Sequence, residues 1–356
     1  MMTEVKDPMN ELSSLNEKID RSTKRFHSTF RMNRSTTQMS LLLVGTFVVF
    51  AIANPETFLS MVNVQNMALA VPEIGLLSIA MMISMVTGGI DLSLVSIANL
   101  TAITISTTFT AVANSDPAMA ENLGILIILL GILVGVAAGA FNGFLIAKIG
   151  VTPILATLGT MQIFNGLAVV WTGGKTLYGS PSALTAFGVS AVAGIPTLFF
   201  VFLAVALVVG FLLNRTPLGL RLELQGANPV AARYSGIKSS TLLMRSYVLT
   251  GFIGALAGVV FIARNPTASA DYGASYVLLV IVIAVLGGTN PSGGYATVFG
   301  VFLAALTLQI VRSGFTAMRL SPFQYAIAQG VILVAVLVID KIDWRKVFRR
   351  STPKKV

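Results

Sequence analysis

NRTPLGLRLELQGANPVAARYSGIKSSTLLMR, residues Asn214 to Arg245, is a polar stretch set between two long apolar runs. Five of its side chains are basic (Arg215, Arg221, Arg233, Lys238 and Arg245) and one, Glu223, is acidic. Its centre, Asn228 to Ser235, reads as a short helix. Pro229 suits the first helical turn, Ala231 and Ala232 favour helix, and Gly236 can end it in the left-handed conformation. Such a helix, held between membrane spans, is a docking knob. The alternative is a solvated connection whose charges only fix topology.

The flanking runs decide the class. Of 356 residues 55% are hydrophobic and 11% charged, and the mean hydropathy is +0.83. Several runs reach the roughly 20 residues a helix needs to cross a hydrocarbon core of about 30 Å, so the chain reads as an all-α integral membrane protein. A β-barrel would show short alternating segments instead. The chain has no cysteine and one histidine, His27. Thiol chemistry, disulfides and a cysteine or histidine metal cluster are therefore excluded.

Ten spans are predicted: Met39 to Ala53, Met67 to Gly88, Leu92 to Val112, Leu123 to Ala147, Val151 to Trp171, Ile195 to Leu213, Ser246 to Ala263, Ser275 to Leu286, Tyr295 to Phe315 and Pro322 to Ile339. Residues 1–38 form a polar amino-terminal tail without the apolar core of a signal peptide, 39–340 the membrane domain, and 341–356 a basic tail. The first and eighth spans are short, which is compatible with a broken or re-entrant helix. The fourth carries Gly131, Gly135, Gly139 and Gly143 at every fourth position, a ridge on which another helix can approach closely.

An even count puts both tails and the 214–245 loop on one side. That side holds twenty basic residues, against four (Lys175, Arg264, Arg312 and Arg319) on the other. The positive-inside rule then makes both termini and the loop cytoplasmic. The formal charge of +10 is a topology signal aided by anionic membrane lipid, not the footprint of a nucleic-acid partner.

Asp91, in GGIDLS at 88–93, is the most unusual ionisable residue, an acid between apolar runs with no basic neighbour. It either lines a path or serves as a structural cap, with Ser93 capping the following helix. Glu73, after Pro72, reads as interfacial. Asn142, Gln162, Asn165 and Tyr276 are further candidates for lining a polar path, set against ordinary helix packing. No Walker A motif is present: Gly174-Lys175-Thr176 ends like one, but Val169 stands where a glycine is needed. No nucleophile, base and orienter trio exists, so the chain reads as a non-enzyme.

Four blocks resemble the permease subunits of sugar-type ABC importers, the ribose, xylose, galactose and autoinducer-2 group. They are GGIDLS at 88–93, NGFLIAKIGVTPILATLGTMQIFNGLAVVWTGGK at 142–175, GANPVAARYSGI at 226–237, and VLGGTNPSGGYATVFG at 285–300. The chain departs from that family's pattern at Val277-Leu278-Leu279, where an acidic stretch is usual, and at Leu222-Glu223-Leu224-Gln225. The resemblance implies a type II, BtuC-like fold and a coupling helix carried by Gly226, Asn228, Ala231, Ala232, Arg233, Ser235 and Gly236. It also implies a separate cytoplasmic ATPase holding ATP and Mg, a second permease subunit, and a periplasmic sugar-binding protein. This chain would bind no cofactor. The rival from another class is a stand-alone ion-coupled carrier, which needs intramembrane acids such as Asp91 or Glu73.

Overall fold

The computed structural model describes residues 34–341. In chain order the helices are α1 (Arg34–Ala53), α2 (Pro55–Phe58), α3 (Met61–Val86), α4 (Leu94–Ala113), α5 (Pro117–Asn122), α6 (Gly124–Phe144), α7 (Pro153–Thr172), α8 (Ser182–Val189), α9 (Thr197–Arg215), α10 (Pro217–Ala227), α11 (Pro229–Tyr234), α12 (Ser239–Arg264), α13 (Tyr276–Leu286), α14 (Val298–Ala317) and α15 (Pro322–Lys341). A π-turn, Leu145–Ile149, extends α6. Two small antiparallel ladders tie the connections on one face. Strand β1 (Leu177–Tyr178) pairs with β4 (Thr267–Ala268), and β2 (Ala191–Val192) with β3 (Ile195–Pro196).

Eight described helices, α1, α3, α4, α6 with its π-turn, α7, α9, α12 and α14, are long and apolar enough to cross a membrane. They match eight of the ten expected spans. The eighth expected span coincides with α13, which as its short run implied has 11 residues, about 16 Å of helix, half of what a full crossing needs. The tenth coincides with α15, which stands outside the eight. The 1–38 and 341–356 tails lie almost wholly outside the described residues.

Helix α3 is the centre of the bundle, because every residue from Ala70 to Val86 is buried. It carries no charged face to turn toward water, and it is enclosed by α4, α9, α12, α13 and α14. The glycine ridge of α6 does what its spacing predicts. A Cβ on Gly139 would fall 2.7 Å from the Gly251 Cα of α12, and one on Gly135 within 2.6 Å of the Ala255 Cβ. These backbones meet closely enough that dispersion, not an apolar side-chain layer, holds them. The outward faces are apolar, with Leu41, Leu133, Leu155, Leu207 and Phe211 all exposed. A surface of that composition is stable against lipid tails rather than water.

Candidate functional site

The polar stretch at 214–245 is mostly helix. Thr216 accepts the Leu218 amide at 3.3 Å and Pro217 occupies the first turn of α10. Asn228 then closes one helix and opens the next. Its amide donates to the Leu224 carbonyl at 3.0 Å, while its Oδ1 accepts the amides of Val230 and Ala231 at 3.1 and 3.0 Å. These bonds satisfy donors that a six-residue helix would otherwise leave open. Gly236, at φ +79°, ends α11 as its position predicts, with the Ile237 amide donating back to the Ala232 carbonyl.

This knob is exposed. Tyr234 is 91% accessible and Val230 66%, and Ala231, Arg233 and Ser235 also face outward. Ala232 does not: at 2% exposure it anchors the knob and offers no surface to a partner. Gly226 likewise packs inward. A Cβ there would overlap the Val86 carbonyl and come within 2.5 Å of the Gly294 nitrogen. The Gly294 amide donates to that same carbonyl at 2.9 Å, and a Cβ on Gly293 would fall 2.9 Å from Gly88. The ends of α3 and α10 and the glycine-rich turn after α13 thus meet backbone to backbone beneath α11. Tyr234 and Val230 were not singled out in the sequence, because nothing in the GANPVAARYSGI pattern distinguishes a knob's tip from its sides.

Just behind that seat lies the GGIDLS turn. Asp91 is fully buried, and its Oδ1 accepts the Ser93 amide at 3.1 Å and the Ser93 hydroxyl at 2.6 Å. The Asn142 amide nitrogen donates to the Ser93 oxygen at 2.7 Å. Thr250 on α12 approaches Asp91 Oδ2 at 3.4 Å. Thr157 accepts the Leu92 amide and donates to the Ile90 carbonyl. Side chains of α6, α7 and α12 therefore clamp this turn. One expectation is corrected here: Ser93 makes no side-chain cap bond, and the capping oxygen at the start of α4 belongs to Asp91.

The remaining candidates separate. Gln162 is exposed on α7. Asn165 donates to the Ala270 carbonyl at 3.2 Å. Tyr276 joins a second buried centre around Glu73, which is not interfacial: α3 starts at Met61, so Glu73 lies twelve residues inside it, 1% exposed. Arg264 pairs with Glu73 at 3.1 Å, and the hydroxyls of Tyr272 and Tyr276 donate to its two oxygens at 2.9 and 3.2 Å. Arg312 lies beside the Tyr276 hydroxyl. A carboxylate so deep is tolerated because it is paired and every oxygen is bonded.

Eight described helices long and apolar enough to cross a membrane, with a buried centre and apolar outward faces, define a multi-pass membrane protein. The chain belongs to the family described as branched-chain amino acid transport system / permease component, whose model matches residues 63–339. Among its curated relatives, the ribose import permease protein of Bacillus subtilis (strain 168) is 31% identical over 91% of this chain and 98% of its own. The D-allose transport system permease protein of Escherichia coli (strain K12) is 30% identical over 84% of this chain and 91% of its own. The autoinducer 2 import system permease protein of Klebsiella pneumoniae is 32% identical over 84% of each. No solved structure matches the chain.

Proposed function

We propose that this chain is the permease subunit of an ATP-driven ABC importer that moves a monosaccharide or related polyol from periplasm to cytoplasm. The observation that carries the reading is α11, a preformed and exposed helix capped at both ends by Asn228 and Gly236. A separate ATPase, holding ATP and Mg, seats on its outer face: Ala231, Arg233 and Ser235, with Val230 and Tyr234. Gly226, Asn228, Ala232 and Gly236 shape the helix and hold it against the membrane domain. Arg215, Arg221, Lys238, Arg245 and Lys148 surround it with exposed basic charge, which supports a cytoplasmic placement in the bacterial inner membrane.

In this reading two permease subunits, of type II fold and ten membrane segments each, enclose a central path, and a periplasmic binding protein delivers solute. Closure of the ATPase dimer displaces α11, and the backbone seat at Val86, Gly226 and Gly294 passes the displacement to α3 and α13. The printed names of the relatives support a sugar as cargo. The ion-coupled carrier is disfavoured, because Asp91 is bonded through its own turn and Glu73 is neutralised by Arg264, which leaves neither acid free to trade ions.

The test is Arg233→Glu in the assembled importer. ATP hydrolysis is expected to lose its link to uptake while membrane insertion persists. Normal uptake by that variant would remove α11 from the coupling role. Solute accumulation by the purified chain alone, with no ATPase, would remove the importer reading altogether.

A further inference from the structure

The Glu73 centre lies far from α11, and its depth can be counted. At 1.5 Å per residue, Glu73 stands about 20 Å along α3 from Val86, Tyr276 about 15 Å along α13 from Leu286, and Arg312 about 21 Å along α14 from Val298. The three reference ends are joined: Gly294 bonds Val86, and a Cβ on Gly287 would fall 2.5 Å from the Val301 Cα. The cluster therefore occupies one level, near the middle of a hydrocarbon core about 30 Å thick.

It also opens outward. Arg312 is exposed, and Arg264, Tyr272 and Tyr276 are half-buried, whereas the outer faces of α1, α6 and α9 are apolar. A guanidinium at mid-depth facing lipid is costly, so this polar window faces water or a polar solute. Helix α13 begins here, and its approach segment is pinned from two sides. Asn99 donates to the carbonyls of Ala270 and Tyr272 at 2.8 and 2.9 Å, and Asn165 donates to Ala270. Discontinuous helices that begin at mid-depth are where membrane transporters hold cargo. Bonding capacity remains unspent nearby. The buried Asn99 Oδ1 and Gln309 Oε1 have no hydrogen-bond partner among the described residues, and Gln309 precedes Arg312 by one turn of α14.

We infer that Tyr272, Tyr276 and Arg312, oriented by the Glu73–Arg264 pair, form the mid-membrane contact site for a polyhydroxylated solute, an inference that rests on the importer reading. Phenol rings supply faces for the C–H side of a sugar ring, and phenol and guanidinium groups supply hydrogen bonds to its hydroxyls.

The chain has no cysteine, so single cysteines report cleanly. Ser275→Cys, next to the contact set but outside it, is compared with Leu207→Cys on the apolar outer face, in membranes carrying the whole importer, using a charged methanethiosulfonate reagent. Position 275 is expected to react at least tenfold faster than 207, and D-ribose, D-allose or L-arabinose, whichever the cysteine-free parent takes up, should slow it at least threefold. Equal rates at the two positions would overturn the inference, since the window would not meet water. Fast labelling that the transported sugar leaves unchanged would overturn it as well. Failure of the importer reading looks different: the cysteine-free parent would take up none of these sugars with ATP. Arg312→Gln gives the second readout, a solute concentration for half-maximal uptake raised at least tenfold. A half-maximal concentration that stays at the parent's value would overturn the contact role.

Discussion

Gly226→Ala probes the seat beneath the coupling helix at its tightest point. The added methyl would overlap the Val86 carbonyl, lie 2.5 Å from the Gly294 nitrogen and 3.0 Å from the Val86 carbonyl carbon. All three neighbours are backbone atoms and cannot rotate away. Contacts of this kind relax near 3.5 Å, so the Val86 carbonyl and the Gly226 segment must part by about 1.5 Å, which also breaks the Gly294 amide bond to Val86. Overpacking costs about 1–3 kcal/mol and the broken buried bond about 1 kcal/mol more, so a loss near 3 kcal/mol is expected. At about 2 °C per kcal/mol for a chain of this size, the thermal midpoint of the detergent-extracted protein, followed by its size-exclusion peak after heating, should fall about 6 °C. Two glycines calibrate the result. Gly236→Ala meets nothing within 4 Å but needs φ +79°, a cost of about 1 kcal/mol. Gly159→Ala, in open space on helix α7, should be neutral or gain about 1 kcal/mol. A Gly226→Ala midpoint at or above that of Gly236→Ala would refute the backbone-to-backbone seat.

Three further outcomes are expected. Arg264→Gln leaves Glu73 charged and without its cation, which should cost about 3 kcal/mol; adding Glu73→Gln should restore at least half of the lost midpoint, and a double variant no better than the single would show that the pair does not neutralise a buried charge. Asp91→Ala orphans the Ser93 amide and hydroxyl, a loss of about 2–4 kcal/mol, and should exceed the loss from Thr250→Val, whose contact is longer at 3.4 Å; the reverse order would misplace the capping oxygen. Burial raises the Glu223 carboxyl above its ordinary range, so the folded chain holds that proton more tightly than the unfolded chain does. The associated stability is fully present below the ordinary carboxylate pKa and declines as pH rises through the raised value. Glu223→Gln should therefore lift the midpoint at pH 7 and leave it unchanged at pH 4; an equal lift at both would assign the gain to something other than charge.

Apolar runs placed eight crossing helices correctly, and the Asn-Pro pair with Gly236 placed α11, because each of those signals is local. The start of α3 was hidden for a physical reason. Asn63 and Gln65 look like loop residues, yet their polar groups are met by Ser313 at 2.8 Å and by the Gly194 carbonyl at 3.1 Å, partners 250 and 129 residues away. Reading the helix from Met67 moved Glu73 to a membrane edge and concealed the polar centre. The start of α12 was obscured in the same way, since Ser239 in its first turn is satisfied by Gln225 at 2.7 Å. The shortness of α13, by contrast, was legible, because its apolar run of 275–286 is bounded on one side by the polar loop that holds Gly273, at φ +64°, and on the other by the glycine-rich turn. The Asp91 turn announced itself by composition, and its bonds to Ser93 are local, but the clamp on it from Asn142 and Thr250 joins residues that no local pattern links to it.

Helix α12 runs unbroken for 26 residues, from Ser239 just after the knob to Arg264 beside Glu73. It holds no proline, and its glycines are packed against neighbouring backbone and side chains, so it has no point at which to bend. Such a rod, about 39 Å long, acts mechanically as a lever: a tilt of about 5° about its middle carries each end about 1.7 Å, in opposite directions. A push at the knob thus arrives at the buried Glu73 centre as a displacement of the guanidinium itself, with no relay of side chains between them.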